Sequence, residues 1–334
     1  RTRDDTLQAL AAYPDLRVGE LPLDFVQNRE PKLRADDLMP VEWPADPSLE
    51  WCPPGHGDLY TALSASGTLN QLREAGFRYA FVSNSDNLAA TADATVAAWF
   101  ASTGAPFASE VCRRTPADRK GGHLAIRKSD RQLVLRETAQ TAPEDAACFA
   151  DVSLHRYAST NNLWLDLEAL DATLRAHGGV LGLPLIRNAK TVDPADPSSP
   201  EVIQIETAMG AAVEVFTGAV ALEVERARFV PVKSTNDLLV LRSDAYEMSD
   251  NLTVSLADDL TNAPLVDLDP AFYKIVSDFD ARFPNGPPSL VGATSLTVRG
   301  DWTFGAEVAV RGAVEVGPDG SPGVIADGTT LEGH

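Results

Sequence analysis

The segment Arg78-Tyr-Ala-Phe-Val-Ser-Asn-Ser-Asp-Asn-Leu88 joins a short apolar run to a polar run that contains one carboxylate. The run at residues 79–82 is rich in aromatic and β-branched side chains, which predicts a short buried strand. Asp86 follows that strand closely, so we expect it at the carboxyl edge of a sheet, where open α/β folds bind ligands. A carboxylate there suits Mg²⁺, which takes its other ligands from water and phosphate. Capping of a following helix, at about residues 91–102, by Asp86 and Asn87 is the alternative.

A second segment, Trp51-Cys-Pro-Pro-Gly-His-Gly-Asp-Leu-Tyr60, contains a histidine between two glycines. The prolines stiffen the chain, and Gly55 and Gly57 allow a ligand to come close to the backbone. A helix predicted over residues 58–75 would place this loop at a helix N-terminus, which favours anions. His56 is therefore a candidate hydrogen-bond donor to a bound anion, and a plain turn is the alternative.

Composition restricts the class of protein. A net charge of −20 over 334 residues argues against nucleic acid or an anionic membrane as a partner. That length allows one large domain with an appendage. Cys52, Cys112 and Cys148 show no CxxC spacing, which favours reduced thiols in a cytosol over disulfides or a zinc site. No apolar run approaches transmembrane length and no signal peptide is visible, so we expect a soluble, cytoplasmic enzyme.

The apolar patterns predict an α/β fold, with a mixed sheet and helices on both of its faces. The predicted strands cover residues 21–25, 79–82, 110–113, 123–127, 132–137 and 219–224. The predicted helices cover residues 4–13, 58–75, 91–103, 163–176 and 205–216.

Apolar residues recur every six positions near the C-terminus, in two parallel sets. These are Leu296, Trp302, Val308 and Val314, and then Val298, Phe304, Val310 and Val316. Paired apolar positions with this period predict a hexapeptide β-helix whose turns bury one inward face. An antiparallel meander is the alternative. A short solenoid would expose an edge coil, which favours pairing with a second copy of the chain.

Six motifs together resemble one known family. In chain order they are Pro53-Pro-Gly-His-Gly-Asp58, Asn84-Ser-Asp-Asn-Leu88, Lys120-Gly-Gly122, Thr160-Asn-Asn-Leu-Trp164, Glu206-Thr-Ala-Met-Gly-Ala-Ala212 and Arg228-Phe-Val-Pro-Val-Lys-Ser-Thr-Asn-Asp-Leu-Leu239. The chain resembles the eukaryotic-type UTP–glucose-1-phosphate uridylyltransferases, also called UDP-glucose pyrophosphorylases, over almost all its length. Broad-specificity UDP-sugar pyrophosphorylases share the Gly-His-Gly motif and remain an alternative.

This resemblance implies a fold and a domain division. The expected catalytic domain covers residues 1–285 and has a Rossmann-like nucleotidyltransferase (GT-A-like) mixed sheet. Residues 286–334 are expected to form a small left-handed β-helix. The family also has an upstream strand and a glycine-rich loop that cradles the nucleotide phosphates. Because we find no counterpart of that loop in the sequence, an inactive or truncated homologue that serves as an assembly module is a further alternative.

The resemblance also assigns roles to individual residues. Gln27 matches a glutamine that recognises uracil, Lys233 matches a lysine that binds the phosphates, and Asp86 matches the metal ligand. The implied nucleotide-binding residues are Gln27, Gly55, Asn84 and Asp86, and the implied sugar-binding residues are His56, Gly122, Glu137 and Asn161. The family usually has Phe-Asn where this chain has Ala158-Ser159, so the sugar is less firmly implied than the nucleotide.

The expected reaction is a reversible direct displacement. No Gly-x-Ser-x-Gly elbow, Walker loop or His-Glu-x-x-His motif occurs in the sequence, so covalent catalysis is not indicated. A phosphate oxygen of glucose 1-phosphate would attack the α-phosphorus of UTP and expel pyrophosphate, giving UDP-glucose. Positioning and charge neutralisation dominate such transfers. We expect His56 to orient the attacking phosphate, Lys233 to neutralise charge and Asp86 to hold Mg²⁺.

Overall fold

The computed structural model describes residues 2–115, 118–119, 121–250 and 252–333. Lys120, in the predicted Lys-Gly-Gly motif, lies outside the described residues. The chain forms two compact units: unit 1 is Arg1–Ser83 with Ala92–Val224, and unit 2 is Asn84–Thr91 with Glu225–His334. Within the described residues, none of the helices combines the length and the apolar character needed to cross a membrane.

Unit 1 is built around a six-stranded mixed sheet. Its helices and strands are α1 (Arg3–Leu10), β1 (Glu30–Pro31), β2 (Leu33–Arg34), β3 (Trp51–Cys52), α2 (Leu59–Ala65), α3 (Thr68–Glu74), β4 (Tyr79–Val82), α4 (Ala94–Thr103), β5 (Phe107–Arg113), β6 (His123–Ile126), β7 (Leu133–Arg136), α5 (Ala146–Ala150), β8 (Tyr157–Asp166), α6 (Leu167–Ala176), β9 (Leu185–Thr191), β10 (Glu201–Thr207) and β11 (Val220–Glu223). The sheet order is β11-β5-β8-β6-β7, and β4 pairs with β8. Strand β11 is parallel to β5, whereas β8 is antiparallel to β4, β5 and β6.

Strand β8 lies in the middle of this sheet and has apolar side chains on both faces. Leu163 and Leu165 belong to one apolar cluster, together with Leu170 of α6. Trp164 points to the opposite face and packs near Phe100 of α4. Burial of each such side chain stabilises the fold by about 1.5–3 kcal/mol. The predicted mixed sheet, covered by helices on both faces, is therefore confirmed.

Two predicted helices are partly wrong because strand pairing outweighs local helical propensity. The predicted helix at 163–176 starts later, at Leu167, because residues up to Asp166 belong to β8. The Asp166 carboxylate caps α6 by accepting hydrogen bonds from the Glu168 and Ala169 N–H groups, at 2.9 and 3.2 Å. In the predicted helix at 205–216, residues up to Thr207 form the end of β10, which pairs with β9.

Two further predictions need correction in the first third of the chain. Residues 21–25 form no strand, although their apolar alternation predicted one. The predicted helix at 58–75 is two helices, because Gly67 has φ of +79° and so interrupts the helical backbone between α2 and α3. By contrast, β4 spans the predicted residues Tyr79–Val82 without change.

Unit 2 combines short helices with parallel strands. Its elements are α7 (Thr235–Arg242), β12 (Tyr246–Met248), β13 (Val254–Leu256), β14 (Leu265–Leu268), α8 (Pro270–Tyr273), α9 (Val276–Arg282), β15 (Ala293–Val298), β16 (Trp302–Phe304), β17 (Ala309–Val316), β18 (Gly323–Ile325) and β19 (Thr330–Glu332). Strands β14-β15-β17-β19 form one parallel sheet and β16-β18 form another. The antiparallel meander considered for the C-terminal segment is therefore wrong.

The six-residue repeat corresponds to inward-facing positions of these strands. Leu296 of β15 pairs with Val314 of β17, three repeats further along the chain. Leu296, Val298, Phe304, Val308 and Val310 are buried in one apolar core, and Trp302 packs against it partly buried. Helices α7 and α9 contribute to the same core. The predicted division into residues 1–285 and 286–334 stays a prediction.

Candidate active site

The Gly55-His56-Gly57 loop in unit 1 packs against the end of strand β10. Gly55 has φ of +79°, and a Cβ atom added there would lie 2.6 Å from the Thr207 carbonyl oxygen. The Thr207 N–H donates to the Pro54 carbonyl at 2.9 Å. Glycine is needed at position 55 because both the backbone conformation and the available space exclude a side chain. The sequence predicted that the glycines let a ligand come close to the backbone. Within unit 1, the group that lies close to Gly55 is Thr207.

The same contact fixes the orientation of His56. The Met209 N–H donates a hydrogen bond to His56 Nδ1 at 2.9 Å. An Nδ1 atom that accepts a hydrogen bond is unprotonated, so the neutral ring has its proton on Nε2. The His56 side chain is exposed. In the neutral ring the donating atom is therefore Nε2, and the Met209 backbone sets this tautomer. The role of His56 as a donor to a bound anion stays a prediction.

Gln27 lies next to this loop. Its Nε2 atom donates to the Gly55 carbonyl at 2.7 Å, and its side chain is exposed. The adjacent Asn28 is held by the Asp58 carboxylate, which accepts from the Asn28 N–H and Nδ2, each at 2.8 Å. Gln27 and Asn28 line a cavity of about 770 Å³ that also includes Trp51. A ligand of nucleoside size fits a volume of this order.

Carboxyl groups surround the base of this loop. Burial raises the pKa of the Glu30 carboxyl, and the nearby Asp58 and Glu206 carboxylates raise it further. Raising this pKa favours the neutral form of Glu30, because a third negative charge here would be repelled and poorly solvated.

Gly122 and Glu137, both predicted to bind sugar, are neighbours in unit 1. A Cβ atom on Gly122 would lie 2.5 Å from Glu137 Oε1. Gly122 directly precedes β6, Glu137 directly follows β7, and these two strands form an antiparallel hairpin. The structure therefore brings these two predicted residues together.

Asn161, the third predicted sugar-binding residue, has an unusual backbone. Its φ is +56°, in the left-handed region that non-glycine residues rarely adopt. Its Oδ1 atom is buried and has no hydrogen-bond partner among the described residues. That oxygen would lie 3.0 Å from a Cβ atom at Gly210. A buried acceptor without a donor from the protein calls for an explanation, and a donor from water or from a ligand would supply one.

Asp86 and Lys233 lie on paired segments of unit 2. The Val232 N–H donates to the Asp86 carbonyl at 2.9 Å, and Lys233 is the next residue. The Asn87 side chain strengthens this pairing, because its Oδ1 accepts from the Val230 N–H at 2.9 Å. Asp86 is half-buried and Lys233 is exposed. The Asn84 carbonyl accepts from the Asn87 N–H at 3.2 Å. Asn84, which was also predicted to bind the nucleotide, therefore belongs to the same turn as Asp86.

The alternative role of Asp86 as a helix cap is wrong. Helix α4 starts at Ala94, and its N-cap is Asp93. The Asp93 carboxylate accepts from the Thr95 and Val96 N–H groups at 2.7 and 3.0 Å. Asn87 has a different structural role, since its side chain joins two segments of unit 2.

Within the described residues, protein side chains alone do not form a metal site. Among the described residues, no group of three or more His, Cys, Asp or Glu side chains could hold a metal ion. Mg²⁺ needs one or two carboxylates when phosphate oxygens and water complete its shell. The single half-buried carboxylate of Asp86 fits a metal that arrives with a nucleotide.

Sequence reasoning found the motifs but missed three residues that support the site. Thr207 fixes the glycine loop, Met209 sets the tautomer of His56, and Gly210 makes room for the Asn161 side chain. All three occur in the motif Glu206–Ala212, which was identified as a motif without roles for its members. A glycine inside a predicted helix was the available signal for Gly210.

Comparison with known proteins identifies the family. A family model described as UTP–glucose-1-phosphate uridylyltransferase matches residues 1–311. The chain belongs to this family. The probable uridylyltransferase of this name from Schizosaccharomyces pombe is 36% identical over 313 residues, which are 93% of this chain and 60% of that protein. The Saccharomyces cerevisiae protein is 38% identical over 310 residues, 92% of this chain and 61% of that protein. The chain thus spans about three fifths of the length of these curated uridylyltransferases.

Solved structures of family members match along nearly the whole chain. A UDP-glucose pyrophosphorylase variant from Leishmania major, crystallised in complex with UDP-glucose, is 45% identical with a TM-score of 0.92. The match covers 99% of this chain and 72% of the Leishmania major chain. A UDP-glucose phosphorylase from Trypanosoma brucei is 44% identical with a TM-score of 0.91, covering 99% of this chain and 71% of its own. The family resemblance predicted from the six motifs and the mixed α/β fold are confirmed.

Proposed function

We propose that this chain transfers a uridylyl group from UTP to glucose 1-phosphate, giving UDP-glucose and pyrophosphate in a reversible reaction. The observation that carries the proposal is the match at 45% identity to the Leishmania major enzyme crystallised with UDP-glucose. The geometry supports it, because unit 1 contains a donor histidine, a buried acceptor and a nucleoside-sized cavity.

The proposed reaction needs no protein nucleophile. A phosphate oxygen of glucose 1-phosphate, already ionised at pH 7, attacks the α-phosphorus while pyrophosphate leaves. His56 donates from Nε2 to the attacking phosphate, because Met209 occupies Nδ1. Lys233 neutralises phosphate charge as a point cation. The rate gain comes from holding the reacting atoms in line and from charge neutralisation.

We propose that Asp86 holds Mg²⁺ together with the nucleotide phosphates. A bound Mg²⁺ neutralises charge on the phosphates and orients them. Its proposed protein ligand is the carboxylate of Asp86, and Asn84 lies in the same turn. Asp86→Asn should lower turnover by about 100-fold or more, a typical loss for one electrostatic partner.

We assign the two ends of UDP-glucose to separate groups of residues. Gln27, with one N–H already directed at Gly55, keeps a second N–H and its carbonyl for the uracil edge. At the sugar end, Glu137 and Asn161 Oδ1 accept from hydroxyl groups, and Gly122 leaves room for the Glu137 carboxylate beside it. Two acceptors suit a sugar with free hydroxyl groups.

We further propose that residues 286–334, which contain β15 to β19, form a left-handed β-helix. We also propose that its last coil pairs with a second copy of the chain, and that residues 1–285 form the catalytic domain. The repeat of three six-residue segments between paired Leu296 and Val314 supports a three-sided coil. We also propose a cytoplasmic location, which the free thiols of Cys52, Cys112 and Cys148 favour. Handedness would be tested by a crystal structure and pairing by light scattering.

A panel of sugar 1-phosphates tests the main proposal. The protein is incubated with UTP, Mg²⁺ and each sugar 1-phosphate, and pyrophosphate release is measured. We expect glucose 1-phosphate to be preferred, Asp86→Asn to be nearly inactive, and the control Asp36→Asn, at a side chain 80% exposed, to retain activity. Preference for galactose 1-phosphate would favour the broad-specificity alternative, which the Ser159 difference motivates. No release with any sugar would favour an assembly module.

A further inference from the structure

Strand pairing between β5 and β8 is interrupted beside Asn161. Ser109 pairs with Leu163 and Val111 pairs with Ser159, so Glu110 alone faces three residues of β8. Two extra residues in one strand form a β-bulge larger than the usual single-residue kind, and bulges redirect side chains. Asn161, with φ of +56°, is the middle residue of that bulge.

The side chain of Glu110 forms hydrogen bonds with the side chains of two residues of β8. Glu110 is fully buried, and its Oε1 accepts from the Trp164 indole N–H at 2.9 Å. Its Oε2 accepts from Asn162 Nδ2 at 3.1 Å. A buried carboxylate with directed donors holds a fixed position, because leaving either donor unpaired is unfavourable.

Thr160 closes the bulge from its other side. Its hydroxyl donates to the Glu110 carbonyl at 2.8 Å and accepts from the Asn162 N–H at 3.1 Å. Asn161 is therefore flanked on both sides by residues that bond to Glu110. These contacts hold the backbone of Asn161 in its left-handed conformation, with Oδ1 close to Gly210.

We propose that Glu110 is a positioning residue for sugar binding. Through Asn162, Trp164 and Thr160, it holds the unpartnered Asn161 Oδ1 where a sugar hydroxyl can donate to it. This inference rests on the proposed function, since it takes the sugar phosphate as the ligand at Asn161. Glu110 does not touch the substrate, and its effect is transmitted by the backbone of the bulge.

Glu110→Gln is the first test. Glutamine keeps the size but replaces one acceptor with a donor, so one of the two groups now bonded to the carboxylate loses its partner. We expect kcat/KM for glucose 1-phosphate to fall by about 100-fold, while the KM for UTP changes less than about threefold. A merely structural role would lower the melting temperature without this separation between the two substrates.

Two substitutions at Thr160 provide a second test in case Glu110→Gln does not fold. Thr160→Val keeps the shape and removes both hydroxyl bonds, whereas Thr160→Ser keeps them. We expect Thr160→Val to weaken glucose 1-phosphate use and Thr160→Ser to restore it. Ser109→Ala is the control, because the Ser109 hydroxyl is buried but has no hydrogen-bond partner among the described residues. It should behave as the parent does.

A crystal structure of Thr160→Val separates the two proposals. If Asn161 leaves the left-handed conformation, the positioning is supported, even if the parent chain shows no uridylyl transfer and the proposed function fails. If Asn161 keeps its conformation, Glu110 does not position the sugar site. The same follows if the parent chain is active and both Thr160→Val and Glu110→Gln use glucose 1-phosphate as well as it does.

Discussion

Replacement of Gly55 by alanine tests whether the fit between the glycine loop and β10 supports activity. Gly55 has φ of +79° and ψ of 173°, a region nearly restricted to glycine, so an alanine there is strained by about 1–3 kcal/mol. The new Cβ would lie 2.6 Å from the Thr207 carbonyl oxygen. Relief of that overlap to normal contact requires a shift of about 1 Å, and it adds about 1–3 kcal/mol of overpacking.

This shift should be passed to the adjacent His56, whose Nδ1 accepts from Met209. Misplacement of a substrate-orienting group by about 1 Å costs roughly 100-fold in rate. We therefore expect Gly55→Ala to lower turnover by about two orders of magnitude and the free energy of unfolding by about 2–6 kcal/mol. Turnover is measured by pyrophosphate release and stability by urea unfolding.

Gly67→Ala is the matched control. Gly67 also has φ of +79°, but a Cβ atom there would meet nothing within 4 Å. We expect a loss of about 1–2 kcal/mol from backbone strain alone and unchanged turnover per folded chain. If Gly55→Ala were no less stable than Gly67→Ala and turned over UTP within about threefold of the parent, the fit at Thr207 would have no role in catalysis.

Three further substitutions test separate conclusions. Gln27→Ala should weaken UTP use and relax the rejection of CTP, measured by competition between the nucleotides, and an equally selective variant would move uracil recognition elsewhere. Burial, with the neighbouring His155, lowers the pKa of His123 to about 3. In the unfolded chain the His123 ring becomes protonated below about pH 6.5. The free energy of unfolding should therefore decrease as pH falls, by about 2 kcal/mol at pH 5. His123→Leu should reduce this dependence of stability on pH, measured by unfolding at a series of pH values between about 7 and 5. An unchanged dependence would contradict the role of His123. Val310→Asp, at a side chain 1% exposed, should lower the free energy of unfolding by several kcal/mol, whereas Val324→Asp, at 73% exposed, should change it little; equal losses would reject the inward face.

Local sequence patterns were sufficient for elements that are defined by their own side chains. Tyr79–Val82 formed the predicted strand, and the six-residue repeat located the inward positions of β15 to β17. These patterns work because alternation and repeat period determine which side chains share a face. The motifs likewise located most of the segments to which we assign a substrate role, whereas Gln27 and Glu137 lie outside the six motifs.

Long-range pairing decided what the patterns could not. Leu163 to Asp166 have the composition of a helix, yet they form the central strand because β4 and β5 pair with both edges of that segment. The tautomer of His56 depends on Met209, 153 residues away in the chain. Glu110 occurs in a predicted strand with nothing local to mark it, and its partner Trp164 is 54 residues further on. The sequence alone thus determines which residues are chemically suited to the reaction. The tertiary structure decides their protonation and orientation, because both depend on hydrogen bonds between distant segments.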